Sequence, residues 1–124
     1  MKQIEAVKKY IQLVQDLNFT EESTAGLLHR DYLQWELPNL LNKQGQKSGA
    51  ADSFRRMLMA KEILQSQCYE ITSILEQGST VVMESTWVGT LKNGQVMKAF
   101  FCMYFEFLDG KIHRVRNYDC FVTG

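Results

Sequence analysis

The chain is short of metal ligands and carries no excess of either charge. Two histidines, His29 and His113, and three cysteines, Cys68, Cys102 and Cys120, are scattered along it. The cysteines are odd in number and far apart, and no zinc-ligand spacing arises with so few histidines. The thiols therefore read as reduced, in a cytoplasmic protein with no metal and no other cofactor. Lys plus Arg and Asp plus Glu are both 14, for a formal net charge of 0. No basic stripe appears, so nucleic acid is not an expected partner. No apolar run reaches the length of about 18 residues that a membrane span requires. The opening residues, Met1-Lys2-Gln3-Ile4-Glu5, lack a secretory hydrophobic region, so no membrane partner is expected either. Phosphate loops, serine elbows and Cys–His dyads are missing, as are repeats and low-complexity segments.

What is present fits one domain over residues 1–124, long enough to bury roughly two-thirds of its unfolded surface. Ile4, Val7, Ile11, Val14 and Leu17 recur at helical spacing, with Lys and Glu between them, so residues 2–17 read as an amphipathic helix. Thr20 is a plausible N-cap for a second helix running to about Arg30, with Glu21 and Glu22 at its positive end. Tyr32–Leu37 reads as a short strand ended by Pro38, the only proline. A polar loop, Asn42–Gly49, leads to a third helix from about Ala51. Gln67–Glu76 is the first long strand. Three apolar runs follow, Thr80–Leu91, Met97–Phe107 and Lys111–Val122, joined at Lys92-Asn93-Gly94 and Leu108-Asp109-Gly110. Helices first and a meander after them predict an α+β fold.

Turn length decides which side chains share a face. A two-residue Asp109-Gly110 turn would pair Phe107 with Ile112 and set Arg114 and Arg116 beside Phe105 and Met103. Two unpaired arginines in the most apolar row would cost several kcal/mol each. A three-residue loop with glycine in the left-handed position instead pairs Phe105 with His113, Met103 with Val115, Phe101 with Asn117 and Ala99 with Asp119. The same choice at Lys92-Asn93-Gly94 adds Val81, Met83, Ser85 and Trp87 to that inner row. Agreement between the turns favours the three-residue reading at both. The opposite face would carry Val82, Val88, Phe100, Cys102, Tyr104, Ile112, Tyr118 and Cys120 with Glu84, Glu106, Arg114 and Arg116. No remaining segment can cover that apolar area, which predicts a homodimer through this face.

Asp119 is the strongest candidate catalytic residue. A carboxyl facing an apolar wall has a raised pKa unless it is paired, which suits proton abstraction. Alternation alone would bury Leu33, Trp35 and Leu37 and leave Glu36 in solvent. Tyr10 lies on or beside the apolar stripe of the first helix, where its hydroxyl needs a partner. Asn117, His113 and Ser85 are polar members of the inner row. Trp35, Trp87, Phe101 and Met103 could line a site for a planar ligand or simply fill the core.

The order of elements, the meander and its closing Asp-Gly-Lys-Ile and Asn-Tyr-Asp segments resemble nuclear transport factor 2-like proteins. Within that superfamily they look most like the SnoaL-like polyketide cyclase and ketosteroid isomerase-like group. The resemblance implies a cone, a strongly curved antiparallel sheet wrapped around three N-terminal helices, with an apolar pocket and a dimer through the sheet. Lys9-Tyr10-Ile11-Gln12-Leu13-Val14 is similar to the segment carrying the isomerases' oxyanion-binding tyrosine, which would be Tyr10. Tyr32-Leu33-Gln34-Trp35-Glu36-Leu37-Pro38 is similar to the segment with their general base, which would be Glu36. The position of their second, acidic oxyanion donor falls on Met103 or Cys102. Asp119 matches the terminal-strand base of the cyclases. The implied activity is a cofactor-independent isomerase or cyclase reaction on an apolar ligand. The alternative is a non-catalytic binding or dimeric interaction module of the same fold.

Overall fold

The computed structural model describes residues 2–123. Helix α1 (Gln3–Gln15) buries Ala6, Val7, Tyr10 and Ile11, the apolar face its spacing predicts. It closes with Asn18 N–H donating to the Leu13 carbonyl at 2.9 Å and Leu17 N–H to the Val14 carbonyl at 3.1 Å. That closure puts Leu17 at φ +54, where glycine is usual and an L side chain costs roughly 1–2 kcal/mol.

The expected second helix is a single capped turn. Thr20 and Ser23 exchange backbone-to-hydroxyl bonds at 2.9 and 3.0 Å, the reciprocal arrangement of a helix start. Gly26 at φ +80 then turns the chain into a strand. Among the described residues two helices therefore cover the sheet, where three were expected.

The remaining elements are β1 (Leu28–Glu36), β2 (Gln46–Gly49), α2 (Ala50–Ile63), β3 (Leu64–Gln77), β4 (Thr80–Leu91), β5 (Val96–Leu108) and β6 (Lys111–Phe121). They build one open six-stranded sheet in the order β2-β1-β6-β5-β4-β3. Every neighbouring pair is antiparallel except β1 and β6, which are parallel. Register shifts within β3, in β1 and near the β5–β6 turn bend the strands, and such bulges are what curve a sheet around its filling. The α+β architecture, a curved sheet closing on helices near the N-terminus, is the expected one.

The β4–β5 loop is the predicted three-residue one. Gly94 sits at φ +92, Leu91 pairs across to Gln95, and Trp87 faces Ala99, Ser85 Phe101 and Met83 Met103. The β5–β6 turn is not. It holds only Asp109 at φ +53 and Gly110 at φ +75, and Phe107 pairs with Ile112. A bulge between Glu106 and Phe107 on this ladder then leaves His113 unpaired, and Phe105 faces Val115, Met103 Asn117 and Phe101 Asp119. The extra residue restores the face that a two-residue turn alone would have inverted. Val115, Asn117 and Asp119 point inward and the arginines outward, as expected, but two residues out of the expected register. Ile112, expected outside, is fully buried.

The main core joins Ala6, Val7, Tyr10 and Ile11 of α1 to Val81, Met83, Met103, Phe105 and Val115 of the sheet. A smaller cluster of Trp87, Ala99 and Phe101 sits farther along the same inner face.

Candidate functional site

A cavity of about 230 Å³ opens between the two helices and the inner face. Its apolar wall includes Ile11, Val14 and Leu17 from α1 and its cap, Met57 from α2, and Met103 from β5. Its polar wall is built by four elements. Strand β1 turns Tyr32 and Gln34 inward. Helix α2 contributes Ser53, Arg56, Met57 and Ala60, one helical face at i, i+3, i+4 and i+7. Strands β3 and β6 bring Gln67, Tyr69 and Asn117.

These groups form two hydrogen-bonded chains. In the first, the Tyr10 and Tyr32 hydroxyls are 2.8 Å apart, Tyr32 donates to Gln34 Oε1 at 3.3 Å, and Gln34 Nε2 donates to Asn117 Oδ1 at 2.9 Å. Burial pushes both phenols up, Tyr32 to about 12 and Tyr10 well above its usual value. In the second, Arg56 Nη2 donates to Glu36 Oε2 at 3.0 Å and Nη1 to Ser48 Oγ at 3.3 Å. Glu36 is thus an inward carboxylate held by a guanidinium.

Asp119 has no such partner. It lies on the inner face two residues beyond Asn117, and its Oδ1 is buried with no hydrogen-bond partner among the described residues. Burial pushes its carboxyl up to about 7, and the charge of Glu36 adds to the rise while Arg56 opposes it. Its charge also reaches Tyr69, whose hydroxyl is pushed up by burial first and Asp119 second. An acid poised near neutrality and a guanidinium–carboxylate pair thus lie together at the cavity, with Arg56 itself part of the wall. That pairing can hold a polar substrate group and move a proton.

The structure gathers Asp119, Glu36, Tyr10, Asn117 and Met103 at or beside this cavity. It sets the other candidates apart. Trp35 is 41% exposed on the opposite face of β1, with the Lys47 ammonium 4.8 Å over its ring. Alternation assigned the inward row of β1 to its more apolar residues, but the inner surface here is the polar wall of a pocket. His113, the bulged residue, packs against His29 with ring centroids 4.8 Å apart, near the Asp109 turn and away from the cavity lining. His29, which falls at the end of the expected second helix, is itself buried in β1. Trp87 and Phe101 stack at 5.6 Å in the smaller core cluster, and the Trp87 indole N–H donates to Gln67 Oε1 at 2.8 Å. Ser85 is buried with an unpartnered hydroxyl, off the cavity wall.

Arg56, Gln34, Ser53, Tyr32, Gln67 and Tyr69 were not foreseen. The signal for Arg56 and Ser53 lies in the helical spacing of α2, which puts both beside Met57. Among the described residues no group of three or more His, Cys, Asp or Glu could hold a metal. No described helix is long and apolar enough to cross a membrane.

Similarity to solved structures agrees with the architecture. An LEH-like epoxide hydrolase from M. tuberculosis superposes with a TM-score of 0.75 at 19% identity, covering 94% of this chain and 80% of that one. IdmH from Streptomyces antibioticus, proposed to be a polyketide cyclase, gives 0.77 at 11% identity over 96% of this chain and 92% of its own. An NTF2-like protein from Burkholderia xenovorans gives 0.74 at 14% over 94% and 87%. The chain has the nuclear transport factor 2-like fold. No protein-family model matches the sequence, and no curated protein matches it. At these identities the likeness is one of fold, and activity must be argued from the pocket of this nuclear transport factor 2-like domain.

Proposed function

We propose that the cavity binds a small, mostly apolar molecule with an enolisable carbonyl, and that Asp119 removes a proton from the carbon beside it. The C–H electron pair becomes the new C=C bond and the carbonyl π pair moves to oxygen, giving an enolate. The proton held on Asp119 is then returned at another carbon, which makes the net reaction an isomerisation; in a cyclisation the enolate carbon instead attacks a second carbonyl, and the proton goes to the alkoxide that forms. No electrons are gained or lost, so the step needs no redox partner. Asn117, whose Oδ1 is engaged by Gln34, keeps its Nδ2 for a ligand oxygen. The Glu36–Arg56 pair sets the field around the acid.

The observation that carries this reading is the unpartnered, buried Asp119 Oδ1, two residues along β6 from Asn117 of the cavity wall, while Glu36 is already paired with Arg56. The cavity lies just below the usual range of about 300–1,000 Å³ for drug-sized ligands, which favours a single ring over a polycyclic body. Solvent exchange tests it. Small cyclic ketones and β,γ-unsaturated enones, incubated with the protein in D2O, should gain deuterium at the carbon beside the carbonyl. Asp119→Asn should abolish the gain. Ketones that bind without exchanging would leave a non-catalytic binding module of the same fold, and exchange that survives Asp119→Asn would remove the acid from its role.

The outer face supports a second proposal, that two copies of this chain pair through the sheet. Phe100 is 59% exposed there, and the exposed Val88 and Tyr118 lie on the neighbouring strands two residues from its ladder partners Thr86 and Cys120. Part of the charge on this face is already paired within the chain, Arg116 reaching Glu106 at 3.6 Å, so the exposed apolar side chains are what a second copy would cover.

A further inference from the structure

Two tyrosines, Tyr10 and Tyr69, line the cavity, and a third, Tyr32, bonds to Tyr10. Gln34 Oε1 can only accept, so Tyr32 donates to it, and the bond of 2.8 Å between the phenols is one in which Tyr10 donates to Tyr32. The Tyr10 proton is therefore committed within the protein. Tyr69 differs. It lines the cavity, and among the described residues its hydroxyl has no hydrogen-bond partner. Everything else about it is held. Its backbone N–H donates to Gln15 Oε1 at 2.8 Å. Its ring packs against Phe101 with centroids 5.8 Å apart. Two residues earlier, Gln67 is pinned between the Val14 carbonyl at 2.7 Å and the Trp87 indole at 2.8 Å.

Fixed rings with unused donors in a partly dry pocket are poised for charge that develops on a ligand, because no reorganisation is needed when it appears. We propose that Tyr69, a residue outside both hydrogen-bonded chains, is the donor to the ligand's carbonyl oxygen and stabilises the oxyanion formed when Asp119 takes the neighbouring proton. The proton of Tyr69 stays on its oxygen throughout, and only the hydrogen bond strengthens. Burial and the Asp119 charge both favour the neutral phenol, which keeps it a donor. The inference rests on the reading of Asp119 as the base and adds the group that answers it. It also narrows the ligand class to molecules whose oxygen accepts a hydrogen bond from one phenol, such as cyclic ketones and phenolates.

The test uses 4-nitrophenolate, whose absorbance reports both binding and ionisation, as a mimic of the enolate. It is measured with Asp119→Asn, which imitates the acid after proton uptake and removes its repulsion. The expected result is measurable binding by Asp119→Asn and at least fivefold weaker binding by Asp119→Asn/Tyr69→Phe. Loss of less than fivefold overturns the Tyr69 assignment while the cavity reading stands. No binding by Asp119→Asn itself overturns both. A folding control accompanies it: Tyr69→Phe alone should melt within about 2 °C of the parent, because the hydroxyl supports nothing in the protein. A larger fall would show a structural role for the hydroxyl and would also overturn the assignment.

Discussion

Asp119 couples chemistry to stability, and the sign follows from its pKa. Its carboxyl is raised from 3.8 to about 7. Between those values the native acid keeps its proton while the unfolded one has lost it. The unfolded state then binds fewer protons, so stability falls as pH rises through that window and levels off above it. Three units would correspond to about 4 kcal/mol, and partial solvent access reduces this to about 2 kcal/mol. Asp119→Asn carries no such penalty. Its urea midpoint should exceed the parent's clearly at pH 8.5 and only slightly at pH 4.5; equal gaps at both would show that the acid is not strained by burial. Ser85 gives a second prediction at this scale. Its hydroxyl is buried without a partner, so Ser85→Ala should leave stability unchanged or raise it by up to about 1 kcal/mol. A loss beyond about 1 kcal/mol in thermal unfolding would mean that the hydroxyl has a partner after all.

At the scale of elements, the two hairpins show what a sequence can and cannot display. Lys92-Asn93-Gly94 announced its own loop because its glycine sits where a left-handed residue is required. Asp109-Gly110 also announced a turn, but a residue bulged out of a ladder has no chemical signature, and His113 looks like any alternating position. Parity survived because one bulged residue replaces the third loop residue, so Asn117 and Asp119 were legible as inward while their partners were not. Glu36 was legible only through the resemblance, since alternation in β1 ranks Trp35 as the inner residue. Tyr69 and Arg56 were hidden for another reason: each comes to the cavity from an element whose placement depends on the tertiary curve of the sheet. The β4 strand carries its own test. A Cβ on Gly89 would overlap the Trp87 ring, so Gly89→Ala must displace the indole from Gln67. That should lower stability by about 2 kcal/mol and shift tryptophan emission. Unchanged fluorescence and midpoint would contradict the packing of this strand.

At the scale of the molecule, one curved sheet serves two surfaces. Its inner face, filled at one end and hollow at the other, holds the acid; its outer face leaves Phe100 exposed. If copies pair there, Phe100→Glu should convert a dimer to a monomer in sedimentation at micromolar concentration while leaving the fold intact. A parent protein already monomeric at that concentration would remove the dimer. The two surfaces are independent, so the cavity reading would stand in either case. It stands on one property, an inward carboxyl that burial holds protonated far above its ordinary range. Titrating the side-chain carboxyl carbon of Asp119 by NMR measures that property without any ligand. A midpoint near 7 is expected, and a midpoint near 4 would contradict the account.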